Sequence, residues 1–116
     1  MNNVPVRYRI KNSQEILDIK NFGESFSDSA LVLVIKQNDL GYSRFAVIAS
    51  KSVGGAVQRN RCKRRLRNRV RGLIQKITPD YDLLFIARLP LLTVSPSVLD
   101  KSIFKLLDRA KMMVAK

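Results

Sequence analysis

Apolar positions along the chain fall into two kinds of segment, helical stripes and short buried runs. Ile16, Leu17 and Ile19 follow Ser13, whose hydroxyl can accept from a first-turn amide, so residues 13–19 read as a short helix capped by Ser13 and broken at Gly23. Ala30–Ile35 (Ala-Leu-Val-Leu-Val-Ile) is an unbroken β-branched and leucine-rich run, the pattern of a buried strand. Asn38-Asp39-Leu40-Gly41 reads as a turn, and Ser43–Ser50 as a second strand expected to pair with the first as a hairpin. Ser52–Gly55 reads as a loop. The clearest helix is predicted from Ala56 to about Ile77, with Val57, Cys62, Leu66, Val70, Leu73, Ile74 and Ile77 close to one apolar stripe. Pro79-Asp80 ends it, and Tyr81–Ala87 is a further strand closed by Arg88-Leu89-Pro90. Ser95 as cap and Pro96 at the first helical position open a last helix, with Leu99, Ile103, Leu106, Leu107 and Ala110 on its apolar face. The expected architecture is one α+β domain over residues 1–116 in the order α-β-β-α-β-α, with room for another short strand near Phe26.

Charge changes this picture. The 116 residues carry 22 Lys+Arg against 9 Asp+Glu and no His, a formal net charge of +13. A compact domain this basic attracts polyanions, with nucleic acid the first candidate and an anionic membrane surface the second. No segment has the apolar length of a membrane span, and Met1-Asn2-Asn3-Val4-Pro5 lacks the apolar stretch of a signal peptide. A soluble cytoplasmic protein is expected. The single Cys62 excludes an intrachain disulfide, and the lack of His excludes a zinc site built from Cys and His. Its place in the apolar stripe gives Cys62 the role of a small core hydrophobe.

The charge is also unevenly placed. Residues 40–79 contain no Asp or Glu but hold 11 of the 22 basic residues: Arg44, Lys51, Arg59, Arg61, Lys63, Arg64, Arg65, Arg67, Arg69, Arg71 and Lys76. Arg59, Lys63, Arg67 and Arg71 form an i, i+4 ladder on the long helix, and Arg61, Arg65 and Arg69 a neighbouring one. Like charges at this spacing destabilise a helix by about 0.2–0.5 kcal/mol per pair, and no glutamate relieves them. The countercharge is therefore expected from a partner. Arginine, with a planar fork that bonds phosphate through two N–H groups and stacks on bases, predominates over lysine. The helix needs its apolar face for the core, which argues against a membrane. Ahead of it, Ser50-Lys51-Ser52-Val53-Gly54-Gly55-Ala56 lacks the Gly-Lys-Ser/Thr ending of a nucleotide-binding loop, and a phosphate seat and a flexible turn fit it equally well.

No catalytic constellation is evident. There is no His to act as a base, and the nine carboxylates are scattered rather than convergent. Asp80 and Asp82 read as turn residues at the start of a strand. Neither catalytic residues, a metal site nor a small-molecule substrate is expected in this chain.

The run from Ser50 to Arg67 resembles the signature of the bacterial ribonuclease P protein component, Lys-x-x-Gly-x-Ala-Val-x-Arg-Asn-Arg-x-Lys-Arg followed by Arg after two more positions. Lys51, Gly54, Ala56, Val57, Arg59, Asn60, Arg61, Lys63, Arg64 and Arg67 fit it. Chain length, element order, the strand ending Ile86-Ala87-Arg88 and the last helix agree as well. The resemblance implies a ribosomal protein S5 domain 2-like fold with a mostly antiparallel central sheet and a left-handed βαβ crossover, against the usual hand. It implies a catalytic RNA subunit that removes the 5′ leader of precursor tRNA with Mg2+, the ion being bound mainly by RNA partner and substrate. Lys51, Arg59, Asn60, Arg61, Lys63, Arg64 and Arg67 would contact RNA, and a cleft between the sheet and the first helix would contact the leader. Relatives often place aromatics in that cleft, where this chain has Ile16, Lys20 and Val34; Phe22, Phe26, Tyr42 and Phe45 are nearby, and Asn68 replaces a common acidic residue. Two other readings use the same charge: a structural RNA-binding protein of ribosomal type, which would co-purify with ribosomal particles, and a DNA-binding module, which would prefer duplex DNA to structured RNA.

Overall fold

In the computed structural model, which describes residues 8–113, the first helix is α1 (Ser13–Phe22). Its cap is Asn12 and not Ser13: the Asn12 side chain accepts from the amides of Gln14 and Glu15, at 2.8 and 3.1 Å. Asparagine and serine are near-equal as caps, so local geometry decides between neighbours. Gly23 ends the helix as expected. A Cβ there would lie 2.6 Å from the Ile35 carbonyl and 2.7 Å from Val34 Cγ1, so the chain leaves α1 pressed onto the sheet. Met1–Pro5, read above for a signal peptide, lies outside the described residues.

Four strands follow: β1 (Glu24–Ser27), β2 (Leu31–Gln37), β3 (Arg44–Ala49) and, after the helix α2 (Ala56–Val70), β4 (Tyr81–Ala87). The last helix, α3 (Pro96–Arg109), is capped by Ser95, whose hydroxyl accepts from the Val98 amide at 3.2 Å. The short strand anticipated near Phe26 is β1, and the full order is α-β-β-β-α-β-α. The sheet order is β1-β2-β4-β3, antiparallel except for the parallel β3–β4 pair joined through α2. The expected hairpin of Ala30–Ile35 with Ser43–Ser50 does not form, because β4 inserts between them. An apolar run pairs with whichever strand best buries both its faces, and β4 (Tyr-Asp-Leu-Leu-Phe-Ile-Ala) is the most apolar partner available.

The long helix is also shorter than its pattern. It ends at Val70, and Ile74 and Ile77 reach the core from a 3-10 turn at Ile74–Lys76 and the residue after it. Gly72, costly inside a helix, stands at the break. Val57, placed close to the stripe above, is 77% exposed, because at about 3.6 residues per turn it falls on the side of α2 opposite Cys62, Leu66 and Val70.

The two sheet faces bury different clusters. Leu31, Leu33, Ile35, Phe45, Val47, Leu83 and Phe85 point to α2 and α3, meeting Cys62, Leu66, Val70, Leu99, Ile103 and Leu106. The burial of Cys62 agrees with its place on the stripe, and desolvation pushes its thiol pKa up, against the nearby charges of Arg65 and Arg61. On the other face, α1 covers one cross-strand row, Val34–Leu84–Ala46, with Ile19 and Ile10.

Asp28 holds the β1–β2 turn to α3. Its carboxylate accepts from the amides of Ala30 and Leu31 and from the Ser102 hydroxyl, with Lys105 Nζ at 3.8 Å. Burial raises its pKa, but these hydrogen bonds and Lys105 together outweigh burial and hold it below the ordinary 3.8. The carboxylate therefore stabilises the fold above that value and loses its contribution as pH falls through the depressed folded pKa. Asp28→Asn should flatten the acid limb of a stability-versus-pH curve below about pH 4 relative to the unsubstituted protein; an unchanged limb refutes this role.

Candidate nucleic-acid interface

Helix α2 sorts its own side chains. Cys62, Leu66 and Val70 are fully buried at i, i+4, i+8, and this stripe fixes where every arginine points. The Arg59–Lys63–Arg67 ladder borders β3. Arg59, Asn60 and Lys63 line a hollow with Ile48, Ala49 and Ala56. One turn further, Arg67 lines a second hollow with Arg9, Lys11, Ile16 and Phe45. Arg61 and Arg64 point to solvent, as does Lys51 in the 3-10 turn Lys51–Val53 ahead of the helix. Val53 of that turn is buried, and Gly54 supplies a φ of 131° that a side chain would resist.

The second ladder divides. Arg65 turns inward: its two terminal nitrogens donate to the carbonyls of Leu91 and Val94 at 2.7 and 2.6 Å. Arg69 donates to Asp100 on α3 at 2.9 Å and to the Arg65 carbonyl. These two belong to the fold, and of the second ladder only Arg61 remains for a partner. Sequence spacing does not show this, because the acceptors are backbone carbonyls beyond β4 and an acid 31 residues away.

Among the described residues, Arg59, Arg61, Lys63, Arg64 and Arg67 have no acidic partner. Arg67 shows the electrostatic consequence. Desolvation first, and the charge of Arg9 second, lower its pKa, so two guanidinium groups face one hollow with no anion between them.

The cleft positions split in the same way. Ile16 is half-buried on the wall of the Arg9–Arg67 hollow, and Lys20 is exposed on the last turn of α1. Val34 is 2% exposed beneath α1, so it is core and not cleft surface. The accessible row is the next one, Val32–Ile86–Ile48, whose members are paired across β2, β4 and β3 and half-buried beside α1. The period-2 alternation of the strands could have found it: 32, 86 and 48 share a face with 34, 84 and 46. Of the nearby aromatics, Phe45 is buried, Phe26 and Tyr42 pack on the core, and Phe22 is 76% exposed.

A family model described as Ribonuclease P matches residues 4–111. The ribonuclease P protein component of Clostridioides difficile is 34% identical over 106 residues, covering 90% of this chain and 93% of that protein. That of Roseiflexus castenholzii is 36% identical over 104 residues, covering 89% and 85%. This chain belongs to the ribonuclease P protein component family. The solved ribonuclease P proteins of Staphylococcus aureus (TM-score 0.79, 28% identity, 92% of this chain and 98% of that one) and Thermotoga maritima (0.76, 26%, 87% and 96%) share its fold. It is thus a subunit of an endoribonuclease of tRNA 5′ processing, with the ribonuclease P RNA as partner. No described helix is long and apolar enough to cross a membrane.

The division of α2 makes a paired prediction. Arg65→Ala leaves two carbonyls without their charged donor and should cost about 2 kcal/mol of stability, at roughly 1.5–3 kcal/mol per charged hydrogen bond less relaxation and water access. Arg64→Ala should leave the urea midpoint within experimental error and weaken RNA binding instead. Equal stability for the two variants contradicts the assignment.

Proposed function

We propose that the acid-free side of α2 seats the ribonuclease P RNA through Lys51, Arg59, Asn60, Arg61, Lys63, Arg64 and Arg67, and that the adjoining sheet floor carries the 5′ leader of precursor tRNA. The observation that carries this reading is the division of α2: arginines with internal work are bonded inward, and those left over border one continuous side of the molecule. The floor Val32–Ile86–Ile48 is aliphatic and meets the RNA-binding helix at Ile48, which shares a hollow with Arg59, Asn60 and Lys63. Such a surface holds a strand by apolar contact below and phosphate contact at the rim, with Ile16 and Lys20 of α1 as the opposite wall. Without an aromatic in the floor, base stacking there gives way to backbone contact.

In this reading the RNA subunit performs the hydrolysis. Among the described residues no three carboxylates come together as a metal-holding group, and most have other partners. Asp82 and Glu15 are bonded to Arg44, Asp100 to Arg69, and Asp28 to Ser102 and Lys105, while Asp18 accepts from Gln14 and Asp80 from the Gly41 amide. Mg2+ would be held by RNA and substrate, and the protein would lower the concentration of the ion that cleavage requires by placing cations along the two polyanions. The site of action is the cytoplasm, where such RNAs are made.

The test is reconstitution with a bacterial ribonuclease P RNA at low magnesium. Restored cleavage of precursor tRNA at the mature 5′ end is expected, and failure of the folded protein to stimulate it would overturn the reading.

A further inference from the structure

The far end of α1 carries a feature that the α2 interface does not use. Phe22, the last residue of α1, is 76% exposed at the mouth of a hollow on the β1–β2 side, away from α2. The hollow is also lined by Tyr81, Lys36, Lys111 and the one acid Glu24. Neither lysine has an ion-pair partner among the described residues, and Lys20 lies two positions before Phe22 on the same helix.

Lys111 has an unusual backbone. It follows α3 in a Schellman turn: its amide donates to Asp108, and the Met112 amide reaches back to Leu107, at 3.0 and 2.9 Å. The turn requires a left-handed residue at Lys111, φ 59°. Glycine or asparagine normally occupies that position. The fold thus holds a long cation in a conformation that glycine would adopt freely, and aims it at the hollow where Phe22 stands uncovered. Buried Met112 ties the turn down, and the Thr78 amide donates to its carbonyl at 2.7 Å.

Rings beside lysines, with little opposing acid, are the chemistry of single-stranded nucleic-acid binding, in which bases stack and phosphates pair with cations. The floor row runs from β3, next to α2, across β4 to β2, and α1 flanks it for about 15 Å at ~1.5 Å per residue. A strand crossing the floor leaves it past Val32 at the β1–β2 edge, and by rounding the end of α1 at Phe22 it comes to Lys36, about 13 Å further along β2 at ~3.3 Å per residue. We infer that the Phe22–Lys36–Lys111 hollow is a second leader subsite, which takes an unpaired nucleotide of the precursor-tRNA leader upstream of the floor, with Phe22 as stacking platform and Lys111 on its phosphate. This rests on the leader reading above and adds a leader-length dependence to it.

The experiment compares precursor tRNAs with a short leader, ending within the floor, and a longer single-stranded one, bound to the reconstituted holoenzyme. Wild type should bind the longer leader more tightly. Phe22→Ala should remove about fivefold or more of that gain, the range expected for one stacked base, and leave short-leader affinity unchanged. Lys111→Gly should reduce the salt slope of long-leader binding by about 0.7, one single-strand phosphate, while Tm stays level or rises because glycine suits the turn. Lys20→Ala, on the wall of the floor, serves as the control and should weaken binding of both substrates. If wild type gains nothing from the longer leader, or if both variants keep the gain, the second subsite is refuted while Lys20→Ala still reports on the leader reading. If Lys20→Ala is also silent, that reading falls with it.

Discussion

Between about 50 and 200 mM monovalent salt, affinity of this protein for the ribonuclease P RNA should fall roughly a thousandfold. Lys51, Arg59, Arg61, Lys63, Arg64 and Arg67 are cations on one side of the molecule with no acid beside them, and each phosphate they neutralise releases condensed counterion. At about 0.9 log unit of affinity per log unit of salt for each contact, six contacts give a slope near −5, and a fourfold salt change gives about three decades. Replacing Arg59, Arg61 or Arg64 singly by alanine should reduce the slope by about one and leave urea denaturation unchanged. Arg65→Ala and Arg69→Ala carry the same formal charge change but should leave the slope nearly intact. A titration in which all five variants lose the same slope would mean that net charge, and not the division made by the fold, governs binding. A flat salt response in the unsubstituted protein would remove the phosphate-dominated interface altogether.

That distinction marks where sequence reading stops. The signature from Lys51 to Arg67 and the acid-free stretch were legible because they are local: one helix, one period, one sign of charge. The element types were legible for the same reason, as was the cap at Ser95, since propensity and periodicity act within a few residues. What failed was long-range. The neighbour of β2 is β4, about fifty residues on, and no local pattern distinguishes that pairing from a hairpin with β3. The inward turn of Arg65 depends on the path taken after β4. Val34 and Val32 look alike in the sequence, yet α1 covers the first and leaves the second half-open, because its exit at Gly23 presses on Val34.

Arg44 is the sharpest case. In the sequence it is one more cation of the acid-free stretch, available to RNA. In the fold it is 16% exposed on β3, donating Nε and Nη2 to the Asp82 carboxylate at 3.0 and 2.8 Å, and reaching Glu15 on α1 at 3.2 Å. Asp82, read as a turn residue, is 6% exposed on β4 and also accepts from the Asn38 side chain at 2.7 Å. The Asp82 hydrogen bond does most to raise the Arg44 pKa above its ordinary value. Burial opposes it, and Glu15 adds to it, so the guanidinium stays charged inside the structure. Removing one partner of such a pair leaves the other charge buried and uncompensated. Asp82→Ala should therefore destabilise the protein by about 3 kcal/mol, a large share of the margin of a small domain, and lower Tm by roughly 10 °C or more. Glu15→Gln should cost less than about 1 kcal/mol, since the Glu15 side chain is 46% exposed and its attraction is screened by solvent. The double replacement Arg44→Met with Asp82→Leu should recover most of the loss, because an apolar pair of similar volume carries no desolvation penalty. If the double variant is as unstable as Asp82→Ala, the pair's worth lies in its tie to α1 through Glu15, and the position of α1 over the Val34–Leu84–Ala46 row depends on charge as well as on packing.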